Sequence, residues 1–377
     1  MNLRRTRAVA RKEALHILRD WRSLGMALAM PLLMLLLFGY ALTLDVDRIP
    51  TLIYDQDASP QSRELAERFR GSRFFHILGA VRHYGAIERE IDRARCLLGI
   101  VIPADFSRKL LSGAEAEVQL LVDGSDSNTA SIALGYAEAV VQTHAIELRA
   151  AAFNRKGGAE MKPPVEPRLR VWYNHKLESK NFIVPGLIAV ILMIIAALLT
   201  SLTIAREWEM GTMEQLLSTP LRPAELVLGK MSAYFVLGAI DTLTAITLGV
   251  LLFGVPLRGN PLFLIVTSGV FLLGALFWGI FLSATARSQL MAYQMGMLSS
   301  FLPAFLLSGF VFAIENMPSV VQLVTYIVPA RYFVTIAKGV FLKGVGPAVL
   351  WGEVAFLAAF AAIVFVAATR KVRQKVA

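Results

Sequence analysis

The chain is poor in the residues that chemistry needs. It has one cysteine, Cys96, so no intrachain disulfide can form. Its five histidines, His16, His76, His83, His144 and His175, are scattered, and no H-E-x-x-H or Cys/His cluster has metal-ligand spacing. No G-x-x-x-x-G-K-[ST] loop is present to cradle ATP phosphates. No G-x-S-x-G elbow or Ser-His-Asp set can be read either. The expectation is a non-enzyme that binds no cofactor or metal of its own. Charge is scarce too, at 18% of 377 residues, which is too little for a soluble chain of this length.

What the chain does have is apolar residues, 56% of the total, and they are clustered. A bilayer core of about 30 Å takes roughly 20 helical residues. Six stretches reach that length: Leu24–Leu44, Phe182–Ile204, Met231–Gly254, Leu262–Thr285, Leu290–Phe312 and Ala348–Thr369. The expected fold is an α-helical polytopic membrane protein with six transmembrane helices. The first stretch is longer than a signal-peptide core of 7–15 residues and has no clear cleavage site after it, so it reads as a retained anchor.

The net charge of +10 is a topology signal. Residues 45–181 hold 19 basic and 19 acidic residues, so the whole excess lies elsewhere. Arg4, Arg5, Arg7, Arg11, Lys12, Arg19 and Arg22 precede the first span, and Arg370, Lys371, Arg373 and Lys375 follow the last. The positive-inside rule puts both termini in the cytoplasm, which requires an even number of spans. Nucleic acid is not an expected partner; the membrane lipid is.

Residues 1–22 form an amphipathic segment with Ala10, Ala14, Ile17, Leu18 and Trp21 on one side, expected to lie on the inner leaflet with Trp21 at headgroup level. Residues 23–44 are the first transmembrane helix. Residues 45–180 change character, with strands expected at Ile49–Tyr54, Phe74–Val81, Leu97–Ile102, Val118–Val122 and Leu169–Tyr173. Helices are expected at Gln61–Phe69, Tyr84–Ala94, Ala104–Leu111 and about 128–153. This alternation predicts an extracytoplasmic α/β domain inserted between helices 1 and 2. Cys96 reads as a buried strand residue. Residues 181–377 carry the remaining helices. In this part Pro318, Gln322, Pro329 and Arg331 break the stretch 313–347 into two external re-entrant helices rather than a seventh crossing.

One short loop between spans carries more sequence than a turn requires: Arg206-Glu207-Trp208-Glu209-Met210-Gly211-Thr212-Met213-Glu214-Gln215-Leu216-Leu217-Ser218-Thr219-Pro220. Read as a helix from about Arg206, it gathers Trp208, Met213, Leu216 and Leu217 on one apolar side, with Glu207 and Glu209 at its N-terminal end. Such a helix either lies on the inner leaflet or seats its apolar side in a partner's groove. Asp241, about ten residues into the third span, is an ionisable group within a membrane segment. It either contacts cargo or a cation along a translocation pathway, or hydrogen-bonds to Thr242, Thr244 or a neighbouring helix.

The run resembles the E-x-E-x-G-T-x-E-x-L-x-x-[ST]-P signature of ABC-2 type transporter permeases, filled here by Glu207, Glu209, Gly211, Thr212, Glu214, Leu216, Thr219 and Pro220. Ser308-Gly309-Phe310, Met317-Pro318 and Pro329-Ala330-Arg331-Tyr332-Phe333 resemble that family's last external loop. The resemblance is to bacterial inner-membrane exporter permeases with a large periplasmic domain after the first helix. It implies that 206–220 is a coupling helix docking a separate ATPase, with Glu207, Trp208, Glu209, Gly211, Thr212, Met213, Glu214, Leu217 and Pro220 as coupling residues. It further implies two ATPase copies using ATP and Mg, and a second permease in a homodimer or homologous heterodimer. A periplasmic adaptor and an outer-membrane channel belong to the same picture. The implied cargo is hydrophobic or amphipathic, drug- or lipid-like. Two rivals make other demands. A membrane-anchored receptor or scaffold would need no coupling motif, and an ion-coupled transporter would show internal repeats and more intramembrane charge.

Overall fold

A computed structural model describes residues 2–41, 47–155, 172–174, 178–286 and 288–376. The elements run α1 (Leu3–Arg19), α2 (Trp21–Ala41), β1 (Ile49–Asp55), α3 (Pro60–Gly71), β2 (Phe75–Ala80), α4 (Tyr84–Asp92), β3 (Leu98–Ile102), α5 (Phe106–Ser112), β4 (Gln119–Val122) and α6 (Ser127–Arg155). They continue as α7 (Ser179–Ser201), α8 (Thr203–Glu209), α9 (Thr212–Leu217), α10 (Pro223–Leu251), α11 (Pro261–Thr285), α12 (Gln289–Leu306), α13 (Ser319–Thr325), α14 (Pro329–Lys338) and α15 (Pro347–Val376). The chain divides into two units, residues 44–170 and the remainder.

The smaller unit is α/β. Its sheet has the order β2-β1-β3-β4, parallel except for the β3–β4 pair. Alternation along β3 sends Leu98, Ile100 and Ile102 into one core with Leu65, Phe69, Phe106, Ala133 and Ala137. The opposite face packs on Ile87 of α4, so close to Gly99 that a Cβ there would lie 2.3 Å from Ile87 Cγ2. Helix α3 starts as its sequence dictates: the Ser59 side chain accepts from Ser62 N, and Pro60 opens the first turn. Cys96 is buried, but it sits in the approach to β3 rather than in the strand, with its thiol against the Leu98 carbonyl at 3.1 Å. The strand expected at 169–173 falls mostly outside the described residues, and Trp172–Tyr173 form a bend. Gly157-Gly158, Pro163-Pro164 and His175 are also outside them.

The larger unit is built around α7, which has 17 of its 23 residues buried. That is why its sequence is apolar all round instead of amphipathic. Small residues set the closest approach: a Cβ on Gly279 of α11 would lie 2.0 Å from Thr200 Oγ1 and 2.4 Å from the Ala197 carbonyl. Among the described residues, five helices are long and apolar enough to cross a membrane, in the segments 24–41, 179–209, 223–251, 261–285 and 347–373. The fifth expected span, Leu290–Phe312, forms a helix only to Leu306; at 18 residues α12 is shorter than the five helices that carry those segments and is not one of them, and Tyr293, Gln294, Ser299 and Ser300 lie within it. Helices α13 and α14 meet at 84° across the break before Pro329, and counted as one bent span they would make a sixth. Their joint is held by Arg331, stacked 4.0 Å over the Tyr326 ring.

Candidate functional site

The segment 206–220 is not one helix. Helix α8 follows α7 after a single residue, Leu202, and the segment breaks at Gly211, whose φ of +69° is a left-handed conformation that L side chains rarely adopt. The glycine of the motif therefore turns the chain, and α9 starts in a new direction. The Ser283 hydroxyl of α11 accepts from both Ile204 N and Ala205 N at 2.9 Å, which fixes the start of α8 to a neighbouring helix. Pro223 opens α10 at its first turn and ends the return.

The two first glutamates of the motif point to different helices. Glu207 is buried, and its Oε1 accepts from Lys230 Nζ of α10 at 2.9 Å and from Lys12 Nζ of α1 at 2.7 Å. The same Lys230 ammonium donates to Glu13 Oε1 of α1 at 2.7 Å, with its side chain 1% exposed. Two ammonium groups and two carboxylates thus close an alternating cluster of zero net charge, the arrangement that makes a buried ion pair tolerable. Glu209 instead accepts from the Gln289 side chain at 2.5 Å and from the Gln289 backbone N–H at 3.3 Å, at the first residue of α12. Around them, Asn2 N donates to Glu225 Oε1 at 2.6 Å and Arg5 donates to the Pro220 carbonyl. Helix α1 is seated on α10 so closely that a Cβ on Gly229 would lie 2.6 Å from Val9 Cβ.

The apolar side of the segment is turned into the protein's own core. Met213 is 1% exposed, and Trp208 and Leu216 pack against the same core. Glu209, Met210, Gly211, Glu214, Gln215 and Pro220 are exposed, and Thr212 is half-buried with its hydroxyl toward the Glu207 carbonyl. The Leu217 side chain lies outside the described residues. A partner approaching this segment meets an acidic tip with one apolar residue, Met210, and a rigid base.

Asp241 is 2% exposed and lines a cavity of about 10 Å³ with Pro31, Ile191, Ile195, Gly238 and Leu272, room for about one water. Its Oδ2 has no hydrogen-bond partner among the described residues. The threonines expected to satisfy it do not: Thr242 and Thr244 donate back to the Gly238 and Ile240 carbonyls of their own helix.

A family model described as ABC-2 family transporter protein matches residues 21–370. The chain belongs to the ABC-2 transporter family. It is 38% identical over 371 residues to "Probable multidrug ABC transporter permease YbhS" of Escherichia coli (strain K12), covering 98% of this chain and 96% of the relative. It is 34% identical over 370 residues to "Probable multidrug ABC transporter permease YbhR" of the same organism, covering 97% of each. "Inner membrane transport permease YhhJ" of that strain is 28% identical over 334 residues, 87% of this chain and 86% of the relative. This is a multi-pass membrane protein of the permease type.

Within this family member, the partners that fix the segment 206–220 are ones the motif does not contain. Lys12, Glu13, Lys230, Ser283 and Gln289 are legible in sequence only as polar residues beside apolar runs. The available signal is Lys230 itself, a lysine two turns into α10 in a sequence that is otherwise apolar from Leu226 to Leu237 except for Ser232.

Proposed function

We propose that this chain is the membrane subunit of an ATP-driven exporter, and that a separate ATPase docks on residues 206–220. The observation that carries the reading is the coupling segment's construction: an exposed acidic tip, Glu209 to Gln215, on a base joined to α1, α10, α11 and α12. A surface helix without a partner has no need of ties to four other helices. A force applied at this tip has stiff elements to act on. The chain contains no P-loop of its own.

In this reading two ATPase subunits hydrolyse ATP with Mg, and two permeases pair as a homodimer or with a homologue. The protein sits in the bacterial inner membrane with both termini cytoplasmic. The α/β unit lies in the periplasm, where an adaptor and an outer-membrane channel could meet it, and the bent pair α13–α14 forms a re-entrant cap on the same side. The cargo is hydrophobic or amphipathic, in keeping with the scarcity of charge in the spans and with the word multidrug in the names of two relatives. Asp241 would contact cargo or a cation only after α2 shifts at Pro31, because that helix helps close its cavity.

The test is ATP-dependent uptake of Hoechst 33342, ethidium and a lipophilic neutral dye into inverted vesicles holding the permease and its partner ATPase. Accumulation of at least one dye, abolished by vanadate, is expected. Full accumulation without the ATPase subunit would contradict the reading.

A further inference from the structure

The N-terminal helix precedes the first span, and a separate role as a membrane-surface anchor would leave it free of the coupling segment. The structure ties it there instead. Lys12 and Glu13, adjacent in sequence, reach different partners: Lys12 binds Glu207 of the coupling segment, and Glu13 binds Lys230 of α10. Lys230 joins both carboxylates, so each of the three elements holds the other two. Glu13 and Lys230 are buried, while Lys12 is half-exposed and closes the cluster at its rim. Gly229 is what permits the approach, since Val9 of α1 occupies the space its side chain would fill.

We propose that Lys12, Glu13, Glu207 and Lys230 are positioning residues that make α1, α10 and the coupling segment one rigid body, so that α1 moves with the ATPase stroke. The inference rests on the reading that residues 206–220 receive the ATPase. Its physical basis is charge balance. Pulling α1 away removes one positive and one negative group but leaves Lys230 with a single carboxylate and opens its buried ammonium to solvent on one side. Pulling α8 away leaves Lys12 without its carboxylate and Lys230 with Glu13 alone. Every separation breaks at least two charge-assisted hydrogen bonds at once, whereas moving together breaks none. Helix α1 runs into α2 through one residue, Asp20. The first transmembrane helix is therefore driven from the same point as α10, although it is far from the tip in the chain.

The test uses the full permease–ATPase complex carrying Cys96→Ser, with spin labels at Arg11→Cys on α1 and Gln215→Cys on the tip, both exposed positions. Distances are measured without nucleotide and after trapping with ATP, Mg and vanadate. The intact cluster should give one narrow distribution that moves by no more than about 1–2 Å on trapping. The charge-balanced pair Glu13→Gln with Lys230→Met keeps the Lys12–Glu207 bridge and should still bind the ATPase. In it the distribution should broaden, or shift by about 5 Å, one helical turn, on trapping. If that pair fails to insert, Lys12→Met with Glu13→Gln, which removes both ties of α1 and leaves the Lys230–Glu207 pair balanced, carries the same expectation. A shift of a full turn with the cluster intact would overturn the proposal, as would wild-type distributions in the variants. A separate arm, Glu214→Lys with Gln215→Lys, which keeps the Glu209–Gln289 tie, tests the underlying reading. If the ATPase stays bound there, docking at the tip is wrong and the proposal falls with it. Release of the ATPase in that arm, with the distances as expected in the others, supports both.

Discussion

Replacing Lys230 by methionine isolates the energetic weight of the buried cluster. The methionine fills nearly the same volume, so the main change is loss of the cation that joins Glu13 and Glu207 at 2.7 and 2.9 Å. Glu13 is then left buried without that cation, and Glu207 keeps only the half-exposed Lys12. Removing one member of a buried ion pair costs about 3–5 kcal/mol, chiefly because the other is stranded. At about 2 °C per kcal/mol for a unit of this size, Lys230→Met should melt roughly 6–10 °C below wild type. The assay is fluorescence-detected size exclusion of the detergent-solubilised permease after a temperature series. Adding Glu13→Gln removes the stranded carboxylate, so the double variant should recover to within about 1–2 kcal/mol of wild type. Lys12→Met alone, at a half-exposed position, should cost no more than about 1 kcal/mol. A double variant as unstable as Lys230→Met, or a Lys230→Met chain that melts like wild type, would refute the reasoning.

Three further outcomes are expected. Burial pushes the Cys96 thiol above its ordinary range and shields it, so a water-soluble maleimide should label the folded protein at least tenfold more slowly than the urea-unfolded chain, and equal rates would contradict the placement. Gly279→Ala drives a methyl into Thr200 and the Ala197 carbonyl, and should destabilise the α7–α11 contact by about 1–3 kcal/mol or more, read as a lower melting temperature. Asp241→Asn should insert and assemble normally while changing which dyes of the transport panel are moved; an unchanged panel with lowered stability would assign Asp241 to packing.

Much of the fold is legible in the sequence because it is local. The all-apolar run of α7 announces a helix buried on every side, and Ser59-Pro60 marks the start of α3 by its own hydrogen bonding. The strands β1 and β3 emerge from short β-branched runs between polar turns. The rest depends on contacts that leave no local pattern. Periodicity put the lipid-facing side of α1 on Ala10, Ala14 and Ile17, but the residues it buries most are Val9 and Glu13, because Gly229 and Lys230 lie opposite them. A glycine inside an amphipathic pattern reads equally as a tolerated residue or a turn, and only the backbone resolves Gly211 as the turn. That turn also sends Met213 inward, leaving the tip to Glu209, Met210 and Glu214. The partners of Glu207 are 195 positions away at Lys12 and nearby at Lys230, and the larger separation is invisible to any window along the chain.

The most direct test of the ATPase-coupling account is co-purification of the ATPase with permeases altered only at the exposed tip. Glu214→Lys with Gln215→Lys reverses its charge, keeps the Glu209–Gln289 tie to α12 and leaves the Lys12–Glu13–Glu207–Lys230 cluster untouched. Losing close charge pairs at an interface commonly costs about 2–5 kcal/mol, enough to weaken binding by tens-fold or more. The account predicts a permease that inserts and melts within a few degrees of wild type but retains less than a tenth of its ATPase after affinity purification. Wild-type amounts of bound ATPase on that charge-reversed tip would contradict it.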